Sequence, residues 1–457
     1  MSFIRPIFPY PAKIPSWFAG HMSRSLRELP TLLENIDLVI EARDSRLPLT
    51  SINSNFDKLL LSKKSNSNNN KKLKGKEREK LIVYTKRDLG EKIYENPLKK
   101  AFKNHLNQNV LFVDTRSDKD VKEVLKYAVR IAKENEEIIP DLRVLVIGMP
   151  NVGKSSLLNA LRRVGLKKGK AFRTGAEAGI TRKLTGTVKI YESPSVYVYD
   201  TPGVMVPYLG KGVEGAEKGL RLALTAGIKE SLFEQDAMVD YLLWKMNKRL
   251  IDESNLNDND PNKHQTYLSL LPLPFDFKPT DNLYTLLDVL SNRLGFLKKG
   301  GEKDFESTCN WLIKSFREGK LGEFTLDEFP KDQLKQKEPN SLTNYNQDQI
   351  ISIPQEDENE LITNHSISNS NDLDERVSKA VEQYLIQSST ITNKSDPTNS
   401  SISMNQQKKA DKRAKLEERD NKLRLKGINV PIRTYGKRGL GKGSKTGEAG
   451  KFARSRR

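Results

Sequence analysis

GMPNVGKS, residues 148–155, matches the phosphate-binding loop pattern G-x-x-x-x-G-K-[ST] in the setting that the pattern requires. The apolar run at 142–147 precedes it and reads as a buried strand, and SSLLNAL at 155–161 continues it with the spacing of a helix. Backbone N–H groups of such a loop surround phosphate oxygens at the positive end of the helix. We expect Lys154 to contact the β- and γ-phosphates and Ser155 to bind Mg²⁺. The nucleotide-binding residues that this loop predicts are Pro150, Asn151, Val152, Gly153, Lys154, Ser155 and Ser156.

A second motif, DTPG at 200–203, ends the apolar run SVYVYD and lies 45 residues after Ser155, counted as 200 minus 155. An aspartate at the end of a strand can hold Mg²⁺ through water, and a glycine here leaves its N–H free for the γ-phosphate. We therefore assign Asp200 to the metal and Gly203 to the γ-phosphate. Between the two motifs, Thr181 lies where a switch threonine can close over Mg²⁺. An ordinary turn and an ordinary loop threonine are the alternatives.

TKRD at 85–88 closes another apolar strand and resembles the guanine-specificity motif N-K-x-D. The carboxylate of that motif accepts hydrogen bonds from two adjacent N–H groups that guanine has and adenine lacks. Asp88 would therefore select guanine over adenine, and the stem of Lys86 would lie over the ring. Thr85 replaces the usual asparagine, and its hydroxyl can satisfy only part of what an amide does.

VDTRS at 113–117 follows the apolar run VLF. Its position suits the loop that meets guanine O6 with backbone N–H groups, here from Thr115 and Arg116. The Ser-Ala core that is usual in such loops is absent, and an ordinary strand end is the alternative.

The order of these motifs is circularly permuted: in an ordinary GTPase the phosphate loop comes first and the base-reading motifs last, whereas here TKRD and VDTRS precede the phosphate loop. Val-, Ile- and Leu-rich runs alternate with helical stretches, which predicts an α/β domain with a mostly parallel sheet. Such a sheet tolerates permutation because the contacts stay while the exposed connections move. We therefore predict a circularly permuted P-loop GTPase domain. The predicted strands lie at 37–44, 81–88, 110–115 and 142–148, with an antiparallel pair near 184–191 and 195–200.

Composition divides the rest of the chain. Apolar residues after position 212 have helical spacing, and a later Asn/Ser-rich stretch cannot bury enough apolar surface to fold, apart from a short helix at 374–387. The predicted parts are an N-terminal segment at 1–14, the permuted domain at 15–212 with a basic surface insertion at 62–80, a small helical domain at 213–325, a mostly disordered linker at 326–406, and a basic helix and Gly/Lys/Arg tail at 407–457.

The formal charge of +19 is concentrated in two stretches. Residues 408–457 carry 18 Lys/Arg and 5 Asp/Glu, a net of +13, and residues 63–80 carry 8 and 2, a net of +6. Together they account for the whole excess, which indicates a polyanionic partner, RNA or DNA ahead of an acidic membrane surface. A solvated tail that only aids solubility is the alternative.

Several classes of protein are disfavoured by composition. Hydrophobic residues make up only 36% of the 457 residues, and no apolar run of about 18 residues predicts a membrane span. Cys309 is the only cysteine, which excludes an internal disulfide and a Cys-rich metal site. Residues 1–14 lack acidic residues, as a mitochondrial presequence does, but their prolines prevent a clean amphipathic helix.

Five segments carry a resemblance to a known family. WFAGHM at 17–22, EARDSRLPLTS at 41–51, GMPNVGKSSLLN at 148–159, DTPGVMVP at 200–207 and GLRLALTAGIKE at 219–230 occur in this order. The chain resembles the YlqF/RbgA class of circularly permuted GTPases over about 15–320, and within it the mitochondrial ribosome-associated branch. The resemblance implies that GTP and GDP are the ligands, that the large ribosomal subunit is the partner, and that residues 213–325 bind its rRNA.

Location and a candidate K⁺ ligand also follow from the resemblance, whereas a role for His21 is a separate hypothesis from its place in the GHM segment. It implies the matrix side of the mitochondrion, with peripheral attachment to the inner membrane as an option and the cytoplasm or nucleolus as alternatives. Val204 follows DTPG where Ras-like enzymes orient water with a glutamine, and an apolar side chain cannot do this. Related enzymes coordinate K⁺ at the position of Asn151, although this asparagine could simply satisfy backbone groups. His21 could approach the γ-phosphate, with a structural or RNA-contacting role as the alternative.

We therefore expect an enzyme that converts GTP and water to GDP and phosphate while assembling a ribosomal particle, binding rRNA in the GTP state and leaving on hydrolysis. The alternative is a GTP-gated RNA- or membrane-associated regulatory module with little turnover, and an ATPase is a third reading.

Overall fold

The computed structural model describes most of the residues between 4 and 329, a segment at 372–387, and parts of 412–424. The gaps before residue 330 are 12–19, 54–55, 58–59, 61–78, 173, 175–186, 206–208, 211 and 255–264. Two compact units are distinguished, residues 1–403 and 404–457, and the described positions of the second are helical. Thr181, nearly all of the 62–80 insertion, and most of the predicted linker and tail lie outside the described residues.

Six strands form one sheet. They are β1 (Leu38–Asp44), β2 (Glu79–Thr85), β3 (Asn109–Val113), β4 (Asp141–Gly148), β5 (Val188–Tyr191) and β6 (Ser195–Asp200). The strand order is β3-β2-β1-β4-β6-β5, and every pair is parallel except β5 with β6. The mostly parallel sheet and its antiparallel pair are confirmed.

The permuted motif order is visible in this sheet. The strand that leads into GMPNVGKS is fourth along the chain yet lies at the centre, with β1 on one side and β6 on the other. The carboxyl ends of parallel strands meet at one edge, where ligands of α/β proteins bind. Each of the four motifs begins at the carboxyl end of a strand: TKRD, VDTRS, GMPNVGKS and DTPG. The permuted chain connections therefore keep all four motifs at the same edge of the sheet.

Nine helices complete the part of residues 20–317 that the structure describes. They are α1 (Gly20–Leu33), α2 (Glu95–Leu106), α3 (Asp118–Glu134), α4 (Lys154–Leu166), α5 (Gly212–Leu224), α6 (Gln235–Ser254), α7 (Tyr267–Leu270), α8 (Leu283–Leu294) and α9 (Phe305–Arg317). Side-chain caps start several of them, because the first N–H groups of a helix lack internal partners. Ser117 accepts from Asp120 N before α3, and Asn282 accepts from Tyr284 N before α8.

A continuous apolar cluster joins the sheet to the helices that follow it. Val146, Leu220, Leu242, Leu287 and Leu312 all belong to this cluster and are fully buried. In the described part of 213–325 the regular structure is helical apart from one isolated antiparallel β-bridge between Leu297 and Lys303, and its treatment as a separate domain stays a prediction. Within the described residues, no helix is long and apolar enough to cross a membrane.

A helix at 372–387 confirms the short helix expected at 374–387. Val377 and Val381 are fully buried in a second cluster, together with Tyr84 and Phe102. This part of the segment predicted as a mostly disordered linker therefore packs on the sheet domain.

The N-terminal segment at 4–11 also packs into the core. Phe8 is 3% exposed and lies edge-on to Tyr241 in α6, with ring centroids 5.3 Å apart. Arg5 forms ion pairs with Asp240 at 2.8 Å and Asp281 at 2.7 Å. The segment that composition likened to a presequence thus contributes core contacts.

Candidate nucleotide site

The loop between β4 and α4 has the backbone of a phosphate cradle. Asn151 has φ 55° and Gly153 has φ 89°, which lets successive N–H groups turn towards a common centre. Gly153 is the N-cap of α4, and Lys154 is its first residue. The positive end of α4 therefore lies at this loop, as anion binding requires.

Lys154 is held against the loop itself. It is only 6% exposed, and its Nζ donates to the carbonyl oxygens of Met149 at 2.7 Å and Gly148 at 3.2 Å. Burial lowers the pKa of Lys154 to about 8, although the nearby charge of Asp200 opposes the shift. Lys154 forms no ion pair with any residue that the structure describes, and a buried ammonium in that state favours an anionic ligand, because the ligand supplies a directly paired charge.

The two residues assigned to Mg²⁺ are adjacent. Ser155 Oγ donates to Asp200 Oδ2 at 2.7 Å, and Asp200 is 1% exposed at the end of β6. Burial raises the pKa of Asp200, which a bound cation would lower again. A hydroxyl and a carboxylate are the oxygen ligands that Mg²⁺ prefers, so these residues fit the metal. Thr181 lies outside the described residues, and its assignment stays a prediction.

DTPG packs directly on the phosphate loop. A Cβ at position 203 would lie 2.5 Å from Pro150 Cα, so only glycine permits this approach. Val204 N donates to Gly148 O at 3.1 Å. The Val204 side chain is 4% exposed in an apolar cluster with Leu29 and Leu33 of α1. It therefore cannot orient the attacking water.

Thr85 and Lys86 join the base-reading loop to the phosphate loop. The Thr85 hydroxyl lies within hydrogen-bond distance of the carbonyl oxygens of Arg43, at 3.0 Å, and Val152. Lys86, with φ 54°, extends its Nζ to Asn151 O at 2.6 Å. Burial lowers the pKa of Lys86 despite the charge of Asp44. The threonine that replaces asparagine thus keeps a contact with the phosphate loop through one hydroxyl.

Asp44 is a site residue that sequence reasoning missed. It ends β1 and is 2% exposed, and it accepts hydrogen bonds from Lys86 Nζ at 2.8 Å and Arg46 Nη2 at 2.8 Å. Burial alone would raise the pKa of Asp44, but Arg46 and Lys86 outweigh it and hold the pKa below its ordinary value. Asp44 therefore positions the lysine that is expected to cover guanine. Its segment, EARDSRLPLTS, contributed to the resemblance, but no role for Asp44 followed from it.

Asp88 lies within a small charged cluster at the predicted base pocket. Its carboxylate accepts from Arg116 Nη2 at 2.5 Å, and Arg116 Nε also donates to Asp114 at 3.1 Å. Burial, followed by the charge of Asp114, raises the pKa of Asp88, while Arg116 opposes both. The adjacent Thr115 carbonyl accepts from Arg163 Nη2 of α4 at 3.2 Å. The structure thus brings Asp88, Thr115 and Arg116 together.

The two remaining predictions concern Asn151 and His21, and the structure describes the side chain of Asn151 only. Asn151 Nδ2 donates to Thr225 O at 3.2 Å, which suits the simple structural reading and ties the phosphate loop to the end of α5. Its Oδ1 is the atom that K⁺ would require. His21 lies in α1, but its side chain is outside the described residues. Both roles stay predictions.

Sequence comparisons agree with the GTPase motifs that form this site. A family model described as 50S ribosome-binding GTPase (MMR_HSR1) matches residues 143–266. Mitochondrial ribosome-associated GTPase 1 of Xenopus tropicalis is 33% identical over 69% of this chain and 95% of its own length. Mitochondrial GTPase 1 of Schizosaccharomyces pombe is 31% identical over 73% and 96%. The crystal structure of GNP-bound YlqF from T. maritima covers 66% of this chain and 97% of that one, at TM-score 0.39 and 16% identity.

Proposed function

The chain belongs to the family of circularly permuted GTPases that includes mitochondrial ribosome-associated GTPase 1, and from this premise we propose that it assembles the large ribosomal subunit in the mitochondrial matrix. It is a GTPase and binds GTP and GDP. In the proposed cycle it binds rRNA in the GTP state and leaves after hydrolysis. Peripheral attachment to the inner membrane belongs to the same proposal.

The observation that carries this proposal is the convergence of four strand-end motifs on one edge of the sheet. Lys154 and the Ser155–Asp200 pair suit a nucleoside triphosphate with Mg²⁺, and the carboxylate of Asp88 suits guanine. An adenine-specific site would not require the carboxylate of Asp88. The relative from Xenopus tropicalis is named as ribosome-associated, and the basic segments of this chain suit a particle rich in RNA.

Hydrolysis requires water to attack the γ-phosphorus while the bond from that phosphorus to the β–γ bridging oxygen breaks. Lys154 and the backbone N–H groups of the phosphate loop hold the phosphates and stabilise their charge. Ser155, Asp200 and Thr181 would hold Mg²⁺, which would neutralise part of the phosphate charge. Gly203 N–H holds the γ-phosphate in place.

Water must be positioned without a residue of the DTPG segment, because Val204 is buried and apolar. We propose Asn151 Oδ1 as a K⁺ ligand, with the cation acting as a fixed positive charge at the phosphates. His21 is the proposed partner that the particle brings into place. Support for it is its position in α1, whose Leu29 and Leu33 pack against Val204.

We propose that the helical part of the chain changes its position in response to the bound nucleotide. Asn151 bonds to the end of α5, and Arg221 within α5 donates to Asp327 at 3.0 Å. Asp327 also accepts from the backbone N–H of Thr50 at 2.8 Å. A shift of DTPG on hydrolysis would therefore reach α5 and the rRNA-binding surface proposed at 213–325.

The test is GTP hydrolysis in K⁺ and in Na⁺, with and without purified large ribosomal subunits. We expect low intrinsic turnover, strong stimulation by subunits, and greater stimulation in K⁺. Asn151→Ala, which removes the proposed K⁺ ligand, should reduce stimulated turnover and its dependence on K⁺; His21→Ala should also reduce stimulated turnover, and Ser155→Ala serves as the Mg²⁺-site control. Full stimulated turnover in His21→Ala would remove its catalytic role.

The apolar Val204 also favours a second candidate, a GTP-gated binding module with little turnover. Tight GTP binding without stimulation by subunits in either salt would contradict the assembly proposal and favour this candidate. Binding to anionic vesicles would then show whether its partner is a membrane.

A further inference from the structure

The end of α4 carries a concentrated positive charge that the tail and insertion do not include. Residues 162–170, here called the basic turn, hold five Lys/Arg and no Asp/Glu. Arg162 and Arg163 lie in the last turns of α4, and Lys167, Lys168 and Lys170 follow it. All three lysines are exposed. This surface lies on the GTPase domain, away from the helical part to which rRNA binding is ascribed above.

The basic turn is held in one conformation. Lys167 caps α4 in the left-handed region at φ 55°, and its N–H donates to Arg163 O at 3.0 Å. At the other end, Asn159 of α4 accepts from the N–H of Phe172 at 3.0 Å and donates to Phe172 O at 2.9 Å. Phe172 is 5% exposed, so the turn is anchored on both sides. A fixed turn presents its charges at little entropic cost to binding.

The predicted base loop adjoins this turn. Arg163 Nη2 donates to the carbonyl of Thr115 in that loop at 3.2 Å and pairs with Asp118 at 2.7 Å. A ligand on the turn would therefore lie beside the predicted base loop.

The helix dipole explains part of this charge but not all of it. Arg163 lies in the last turn of α4, where a cation is stabilising. Lys168 and Lys170 lie beyond the helix end, and neither has an ion-pair partner among the residues that the structure describes. Exposed cations in a fixed array fit closely spaced phosphates.

We propose that the basic turn binds the phosphate backbone of rRNA in the particle, beside the nucleotide site. The proposal rests on the assembly function proposed above and adds a second RNA contact, on the GTPase domain. RNA held here would link particle binding to the base loop through Arg163.

The test is the double variant Lys168→Gln/Lys170→Gln in the full chain, compared with the wild-type protein for binding to large subunits and to their purified rRNA. Each lost phosphate contact removes about 0.7–0.9 from the slope of log K against log salt, so the slope should fall by about 1.5. Between about 50 and 200 mM salt, wild-type affinity should then fall roughly eightfold more than variant affinity. Intrinsic GTP hydrolysis without RNA should be unchanged, which shows that the variant is folded.

The matched control is Lys99→Gln/Lys103→Gln, which removes the same charge from α2. That helix packs on β3, whereas α4 packs on β5 at the opposite edge of the sheet. Equal salt slopes for the wild-type protein and the basic-turn variant would overturn this inference alone, as would equal losses in the two variants. Wild-type binding to rRNA without stimulation by subunits would overturn the assembly function instead. Absence of wild-type binding to both would overturn both proposals.

Discussion

Replacing Lys154 with methionine is expected to stabilise the nucleotide-free protein while abolishing its response to GTP. Lys154 is 6% exposed, and burial lowers the pKa of its ammonium group from 10.5 to about 8. The native state therefore carries a desolvated charge whose partner is the nucleotide. Methionine has a similar length and no charge, so it removes the cost together with the phosphate contact.

The size of the effect follows from that pKa difference of roughly 2.5, since each unit corresponds to about 1.4 kcal/mol. The charged lysine thus costs about 3 kcal/mol at neutral pH. Loss of its hydrogen bonds to Met149 O and Gly148 O offsets about 1–2 kcal/mol of this gain. The variant should therefore gain about 1–2 kcal/mol in its free energy of unfolding at pH 7.

The pH dependence has a definite sign. Below about pH 8 the ammonium is charged in both states, and its cost is fully present. Between about 8 and 10.5 the unfolded state binds more protons than the native state, so wild-type stability rises with pH. The advantage of Lys154→Met should shrink across this window.

The assay is urea unfolding of both proteins at pH 7 and pH 9.5, with and without GTP and Mg²⁺. Lys170→Met, at an exposed position, is the control and should match the wild-type protein. A variant that is less stable than the wild-type protein at pH 7, or that is still stabilised by GTP, would refute the reasoning.

Three further variants test other parts of the structure. Thr85→Val leaves the Val152 carbonyl without its hydroxyl donor and should lower the free energy of unfolding by about 1–3 kcal/mol, measured by urea unfolding, with weaker GTP binding. Arg116→Ala removes the cation that opposes the raised pKa of Asp88; the loss of GTP affinity on acidification should then occur at higher pH, as measured by calorimetry, and an unchanged profile would contradict this. Phe8→Ala should cost about 3–5 kcal/mol in urea unfolding, and a cost below about 1 kcal/mol would show that the N-terminal segment is not part of the core.

The sheet and the phosphate loop could be predicted because the patterns that indicate them lie within short stretches of the sequence. The apolar run before GMPNVGKS and the short distance to a helix pattern place Lys154 and Ser155 without knowledge of distant residues. TKRD and DTPG likewise end apolar runs, and parallel strands bring such ends to one edge. Motif order then predicts the permutation, which the central position of β4 confirms.

Other site residues depend on contacts that sequence does not display. Asp44, at the end of β1, accepts a hydrogen bond from Lys86, which follows the neighbouring strand β2 and lies 42 residues further along the chain. Nothing in the sequence around Asp44 identifies that partner. Asn159 looks like an ordinary helix residue until the chain returns at Phe172. Arg5 pairs with Asp240, which lies 235 residues further along the chain, and the composition of the N-terminal segment does not show this contact. Composition alone therefore likened the segment to a presequence.

The central place of β4 also affects how the protein is made. During synthesis β1, β2 and β3 emerge first, and β1 pairs with β2 on one side only. Its other edge accepts β4, so about a hundred residues separate the completion of β1 from the arrival of its second partner. Unpaired edges of apolar strands are templates for aggregation. A nascent chain of this protein should therefore depend on chaperones over this interval.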